Sequence, residues 1–112
     1  MQDCTGLFKV LSDNNRIRII NLLERRPLCV CEIAHTLGVT QPSISRHLRK
    51  MKSAGLVHCA QDSLWTNYLL KTDRPAVKAL LQMMKRWGRE DPVLKKDCQK
   101  LKKVDRRKLC LK

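Results

Sequence analysis

Apolar residues recur with helical spacing along most of the chain, and the pattern changes once, near the middle, to two short strand-like runs. Leu7, Phe8, Val10 and Leu11 predict a short first helix. Ser12 and Asp13 offer N-cap chemistry to a second helix with Ile17, Ile20 and Leu23 on one face. Arg25-Arg26-Pro27 ends it, because proline disfavours helical geometry in the residue before it. Val30, Ile33, Ala34 and Leu37 mark a third helix, which Gly38 is suited to close in the left-handed conformation. A tight turn, Gly38-Val39-Thr40-Gln41-Pro42, leads into a fourth helix with Thr40 as N-cap and Pro42 in the first turn. That helix is expected to reach about Ala54, with Ile44, Leu48 and Met51 facing inward and Gly55 stopping it. Leu56–Ala60 and Leu64–Leu70, joined by Gln61-Asp62-Ser63, predict a hairpin. Thr72 or Asp73 would cap a fifth helix, Pro75–Trp87, with Val77, Leu80, Leu81, Met84 and Trp87 on one stripe and Gly88 interrupting it. A last basic helix over Pro92–Leu111 would bury Leu94, Cys98, Leu101 and Val104.

The expected fold is mainly α with a small β-hairpin, in the order helix-helix-helix-helix-strand-strand-helix-helix. Helix, tight turn, helix and hairpin make a winged helix-turn-helix, whose second paired helix enters the major groove. The residues it would present are Thr40, Gln41, Ser43, Ser45, Arg46, His47, Arg49 and Lys50. Gln41 suits adenine, and Arg46 suits guanine or a phosphate. Ser43 and Ser45 can bond either, while Arg49, Lys50 and Lys52 are better placed for backbone phosphates. His47 reads as a helix-packing or phosphate-bonding residue. The plainer reading of this face is a solvated polar surface.

Charge favours the nucleic-acid reading. The chain has 112 residues, enough for one domain with a modest core that dimerisation would help stabilise. Lys and Arg number 24 against 10 acidic residues, a formal charge of +14. The excess is concentrated after residue 70, where 15 basic and 5 acidic residues lie. Such a balance points to a polyanion, either nucleic acid or an anionic membrane surface. The organisation expected is a DNA-binding and dimerisation domain over residues 1–90 and a basic C-terminal helix over 91–112. No apolar run approaches the roughly 20 residues of a membrane span. Met1-Gln2-Asp3-Cys4 has no signal-peptide character. No membrane partner is expected, and the expected location is the cytoplasm. Neither a nucleophile–base constellation nor a Gly-rich phosphate loop is present, so an enzyme is not expected.

The six cysteines, in a reducing compartment, suit thiol or metal chemistry better than a disulfide framework. Cys29-Val30-Cys31 is the chemical centre. Residues at i and i+2 diverge on a regular helix, but converge more easily where an extended segment turns into one, as Pro27 and Glu32 suggest here. A helix N-terminus would also lower the thiol pKa and favour the thiolate. Thiolates select soft or borderline ions: As(III), Sb(III), Cd(II), Pb(II), Zn(II) and Cu(I). A bare Cys-x-Cys is equally an ordinary pair of buried cysteines.

Three segments, in order and at this spacing, resemble the ArsR/SmtB family of metal-sensing repressors. They are Leu11-Ser12-Asp13-Asn14-Asn15-Arg16-Ile17-Arg18-Ile19-Ile20, Leu28-Cys29-Val30-Cys31-Glu32-Ile33-Ala34 and Gln41-Pro42-Ser43-Ile44-Ser45-Arg46-His47-Leu48. The resemblance covers residues 7–70 closely and the fifth helix loosely. It implies a homodimer formed by the first and fifth helices, bound to an inverted-repeat operator in double-stranded DNA and released by its ion. Arsenic sensors of this type usually carry a third cysteine where this chain has Ala34. Cys4 is the preferred substitute, and it keeps open the cadmium- and lead-sensing branch, whose members pair Cys-Val-Cys with N-terminal cysteines. Cys98 and Cys110 could reach across a dimer, and Cys59 reads as packed. Residues 73–91 hold no histidine, so the second metal site of some relatives is not expected. The wing tip lacks the glycine and basic residues of many relatives. The expected function is a transcriptional repressor released when As(III) or Sb(III) binds Cys29 and Cys31. The alternatives are Cd(II), Pb(II) or Zn(II), a thiol-based redox signal, or general nucleic-acid compaction.

Overall fold

A computed structural model describes residues 2–110. The order is α1 (Gln2–Leu11), α2 (Asn14–Leu23), α3 (Val30–Leu37), α4 (Gln41–Ser53), β1 (Val57–Asp62), β2 (Trp65–Leu70), α5 (Pro75–Gly88), α6 (Pro92–Leu101) and α7 (Arg106–Cys110). The predicted winged helix-turn-helix is the architecture observed.

Local chemistry sets most boundaries. Asp13 caps α2 by accepting from the N–H groups of Asn15 (2.9 Å) and Arg16 (3.2 Å). Thr40 caps α4, its hydroxyl accepting from Ser43 N–H at 3.4 Å. Gly38 closes α3 at φ 68°, a conformation that costs a residue with a Cβ about 1 kcal/mol or more. β1 and β2 pair antiparallel from Val57↔Leu70 to Asp62↔Trp65. The tip is a two-residue turn, Ser63-Leu64, so β1 runs further and β2 starts later than the apolar pattern indicated. Pairing carries the polar Gln61 and Asp62 into the strand, where pattern alone reads a loop.

Three further boundaries differ from expectation. Arg74, without a side-chain cap bond, precedes α5 in place of Thr72 or Asp73. α5 continues through Gly88, where a side chain would collide with Asn21 Oδ1. The single last helix is instead two. The chain turns after Leu101, and Asp105 restarts it as α7 by accepting from Arg107 N–H at 3.0 Å.

α2 is the hub, contacting α1, α3, α4, α5, α6 and β2. Its Ile19, Ile20 and Leu22 are wholly buried with Ile33, Ile44, Leu48, Met51, Leu56 and Val77. Truncating one of these to alanine costs about 2–5 kcal/mol, so the angle between α3 and α4 is firmly held. α6 joins the same core through Leu101, and its Leu94 is also buried. An ion pair secures it: Asp97, 3% exposed, accepts from Arg18 Nε (2.8 Å) and Nη2 (3.0 Å).

Candidate thiolate site and nucleic-acid interface

The extended stretch after Pro27 is tied to the hairpin before it enters α3. Leu28 and Tyr68 form an antiparallel bridge, with N–H to carbonyl distances of 3.2 and 2.8 Å. Cys29 follows as the N-cap of α3 in extended conformation, φ −88° and ψ 167°. Cys31 lies one residue into the helix, and the two sulfurs are 3.7 Å apart. The convergence expected at a strand-to-helix turn is therefore present. Bonds of about 2.3 Å at a tetrahedral angle would place two thiolates on one ion about 3.8 Å apart, so the pair fits a shared soft ion.

Cys29 is buried, and this changes its acidity. Burial pushes its thiol pKa up, and the nearby Glu32 carboxylate adds to the rise. The hydrogen bond from the Glu32 N–H works in the opposite direction and is outweighed. The lowering expected from a helix N-terminus is thus reversed at Cys29, because desolvation exceeds the benefit of the helix end.

Glu32 organises the site. It is wholly buried and accepts three hydrogen bonds: from Cys29 N–H (3.1 Å), Arg26 Nη1 (3.1 Å) and Arg106 Nη2 (2.8 Å). Burial alone would raise its pKa, but the bonds from Cys29 and Arg106 hold it below the ordinary glutamate value. Arg106 also donates to Asn67 Oδ1 at 2.7 Å, and its guanidinium lies 4.9 Å from the Trp65 ring centroid. One side chain of α7 therefore joins the start of α3 to β2. Nothing in the apolar pattern marks Glu32, Arg106, Asn67 or Leu28 as members of this site. The only sequence signal was the acid three positions after a potential N-cap, the spacing of a capping box.

Three other cysteines lie elsewhere. Cys4 is exposed on α1, which packs against α2. Cys98 is half-buried between α6 and α2, its sulfur accepting from Asn21 Nδ2 (3.3 Å) and Arg25 Nε (3.2 Å). Cys59 on β1 accepts from Lys52 Nζ at 3.5 Å. The side chain of Cys110 lies outside those described. Among the described residues, no three His, Cys, Asp or Glu side chains form a metal-binding group.

The proposed reading face lies on α4. Thr40, Gln41, Arg46, Arg49 and Lys50 are exposed, and Ser43, Ser45 and His47 are partly covered. His47 faces inward enough for its Nδ1 to accept from Arg16 Nε at 3.1 Å, which ties α4 to α2. Burial lowers its pKa, Asp13 opposes that, and Arg16, Lys50 and Arg46 reinforce it. Lys9 and Arg16 line one groove with Arg46, Arg49 and Lys50, extending the basic surface from α4 onto α1 and α2. Their distance in sequence hid that grouping. No helix is long and apolar enough to cross a membrane among the described residues.

Residues 13–58 match the family described as "Bacterial regulatory protein, arsR family". The chain is 40% identical over 78 residues to the arsenic resistance transcriptional regulator ArsR1 of Pseudomonas putida, covering 68% of this chain and 61% of that protein. It is 37% identical over 68 residues to the cadmium resistance regulator CadC of Listeria innocua, covering 60% of this chain and 57% of that one. The chain thus spans under two thirds of the length of these relatives. Among solved structures, reduced HlyU from Vibrio cholerae superposes with a TM-score of 0.68 at 26% identity, covering 76% of this chain and 87% of that one. The homodimeric winged helix-turn-helix domain of Mb0332 from Mycobacterium bovis shares the fold, with a TM-score of 0.68 at 23% identity, covering 81% and 82%.

Proposed function

Since the chain belongs to the arsR family of DNA-binding transcriptional regulators, which are not enzymes, we propose that it is a homodimeric repressor released from its operator when As(III) or Sb(III) binds Cys29 and Cys31. The observation that carries this reading is the pair of sulfurs 3.7 Å apart at the first turn of α3. α3 packs on α4 and hands the chain to it through the Gly38–Thr40 turn. An ion held by the pair adds its charge and its remaining ligands at the start of α3, and a change there reaches the face formed by Thr40, Gln41, Ser43, Ser45, Arg46, His47, Arg49 and Lys50. Two half-sites must meet grooves about 34 Å apart, so a small tilt in each subunit weakens both contacts together. A coupling of about 1–3 kcal/mol gives a 5- to 150-fold loss of affinity.

The likeness to ArsR1 supports arsenic, and the likeness to CadC supports a second reading in which Cd(II), or Pb(II) or Zn(II), is the inducer. Proton balance separates them. Arsenous acid condenses with protonated thiols and releases water, whereas a divalent ion needs thiolates and releases protons, so its affinity rises with pH.

The test is an operator-release titration with As(III), Sb(III), Cd(II), Pb(II) and Zn(II) at two pH values, with an oxidant arm. Release by arsenite or antimonite at the lowest concentration, lost in Cys29→Ser and Cys31→Ser, is the expected result. Normal release of both variants by every ion overturns the sensor site. Release by oxidant alone replaces it with a redox switch.

A further inference from the structure

The basic surface formed by α4, Lys9 and Arg16 leaves the excess of cations after residue 70 without a role. The wing is the element that lacks such charge. From Val57 to Leu70 it holds no lysine or arginine, and Asp62 stands at its tip end. α4 packs on β1, and a hairpin held beside the reading helix meets the backbone that flanks the bases being read. On its own this hairpin would offer a DNA backbone no cation and one like charge.

α7 lies against that hairpin. Arg106, its side chain 19% exposed, sets its guanidinium 4.9 Å from the Trp65 ring centroid and donates from Nη2 to Asn67 Oδ1 at 2.7 Å. Trp65 opens β2 and pairs with Asp62, so the contact is at the tip end of the ladder. Trp65 and Asn67 are two positions apart and share one face of the strand. The same Nη2 reaches Glu32 Oε1 at 2.8 Å, which fixes α7 from the α3 side as well. A guanidinium held at three points keeps little freedom, so the residues that follow it in the helix are fixed with it. These are Arg107 and Lys108, and both are exposed. The charge of Arg106 is balanced by Glu32, whereas Arg107 and Lys108 are presented to solvent beside the wing.

We propose that α7 is the cationic part of the wing: Arg107 and Lys108 contact DNA backbone phosphates flanking the groove that α4 enters, and Arg106 is the residue that positions them. The proposal rests on the DNA-binding reading of α4 and is independent of the chemistry at Cys29 and Cys31. Phosphate contacts carry no base preference, so this pair adds affinity and orientation rather than choice of operator.

Phosphate contacts are counted by how steeply affinity falls with salt, and a random-sequence DNA duplex is a sufficient probe because no base contact is involved. Fluorescence anisotropy over a salt series is measured on the full chain and on three variants: Arg107→Gln/Lys108→Gln, Lys95→Gln/Lys96→Gln and Arg106→Lys. The two double variants remove equal charge, and Lys95 and Lys96 are also exposed, on α6, with Lys95 in a cleft beside Arg25. The salt slope is expected to fall by about two per bound subunit in Arg107→Gln/Lys108→Gln and to stay parental in Lys95→Gln/Lys96→Gln. Arg106→Lys keeps the total charge but has no planar fork to span Glu32, Asn67 and the Trp65 ring, so its slope should fall as well. A parental slope in Arg107→Gln/Lys108→Gln overturns the proposal, as does an equal or larger fall in Lys95→Gln/Lys96→Gln, which would mean diffuse attraction. A parental slope in Arg106→Lys alone overturns the positioning role of Arg106. A parent chain that binds no duplex at all sinks the reading of α4 itself, an outcome distinct from failure of α7.

Discussion

His47 shows how little a residue's type says before its neighbours are known. In sequence it sits among polar residues and reads equally as a helix-packing or a phosphate-bonding residue. In the fold its Nδ1 accepts from Arg16, so the neutral ring serves the joint between α4 and α2. Burial lowers its pKa, and the cations Arg16, Lys50 and Arg46 outnumber Asp13 around it. A base whose pKa is depressed on folding resists protonation in the native state, while the unfolded chain takes the proton freely. The contribution is therefore fully present above the ordinary histidine range and is lost as pH falls through and below it. Thermal unfolding between pH 7.5 and about 5 is expected to show a decline that His47→Asn removes, since asparagine can accept the same bond without titrating. An unchanged pH slope in that variant would show that another group is responsible. Glu32 is the complementary case: read in the sequence only as a bracket of the cysteine pair, it is wholly buried and receives two guanidinium groups.

At the scale of elements, the helix-turn-helix was legible because its signals are short-range. Asp13, Gly38, Thr40 and Pro42 each act within four residues of themselves, and each stands where its chemistry predicts. The C-terminal region was not legible in the same way. Leu94, Leu101 and Val104 share a helical stripe that runs on through the break, and the turn after Leu101 is selected by docking on α3. The proposed reading role of α4 makes a testable division of labour. Arg46→Ala is expected to cost about 1–3 kcal/mol of operator binding and to relax preference at one base position. Lys50→Ala should weaken all DNA alike and reduce the salt slope by about one. Electrophoretic shift assays over a salt series distinguish the two, and identical behaviour of both variants would argue that Arg46 touches only phosphate.

For the whole molecule, the exposed apolar residues matter most. Phe8 on α1 and Met83 and Trp87 on α5 are 56%, 47% and 64% exposed, on the two helices that the family resemblance assigns to dimerisation. Scattered apolar residues are ordinary on a surface, but three large ones on these two helices suit a covered face. Trp87→Glu is expected to shift sedimentation from dimer to monomer and to weaken operator binding at least as much as any single α4 substitution, because a monomer meets one half-site. A monomeric parent chain would remove this face from the account.

Sequence and fold divide the protein between them along a physical line. The caps of α2 and α4, the Gly38 turn and the closeness of Cys29 and Cys31 are carried by neighbours in the chain, so residue order was enough to read them. The buried Glu32 carboxylate, the bridge from Leu28 to Tyr68, the Arg106 clasp and the acidity of Cys29 are products of long-range packing. Each depends on segments tens of residues apart being brought together and cleared of water, and periodicity along one chain carries no record of which distant segments those are.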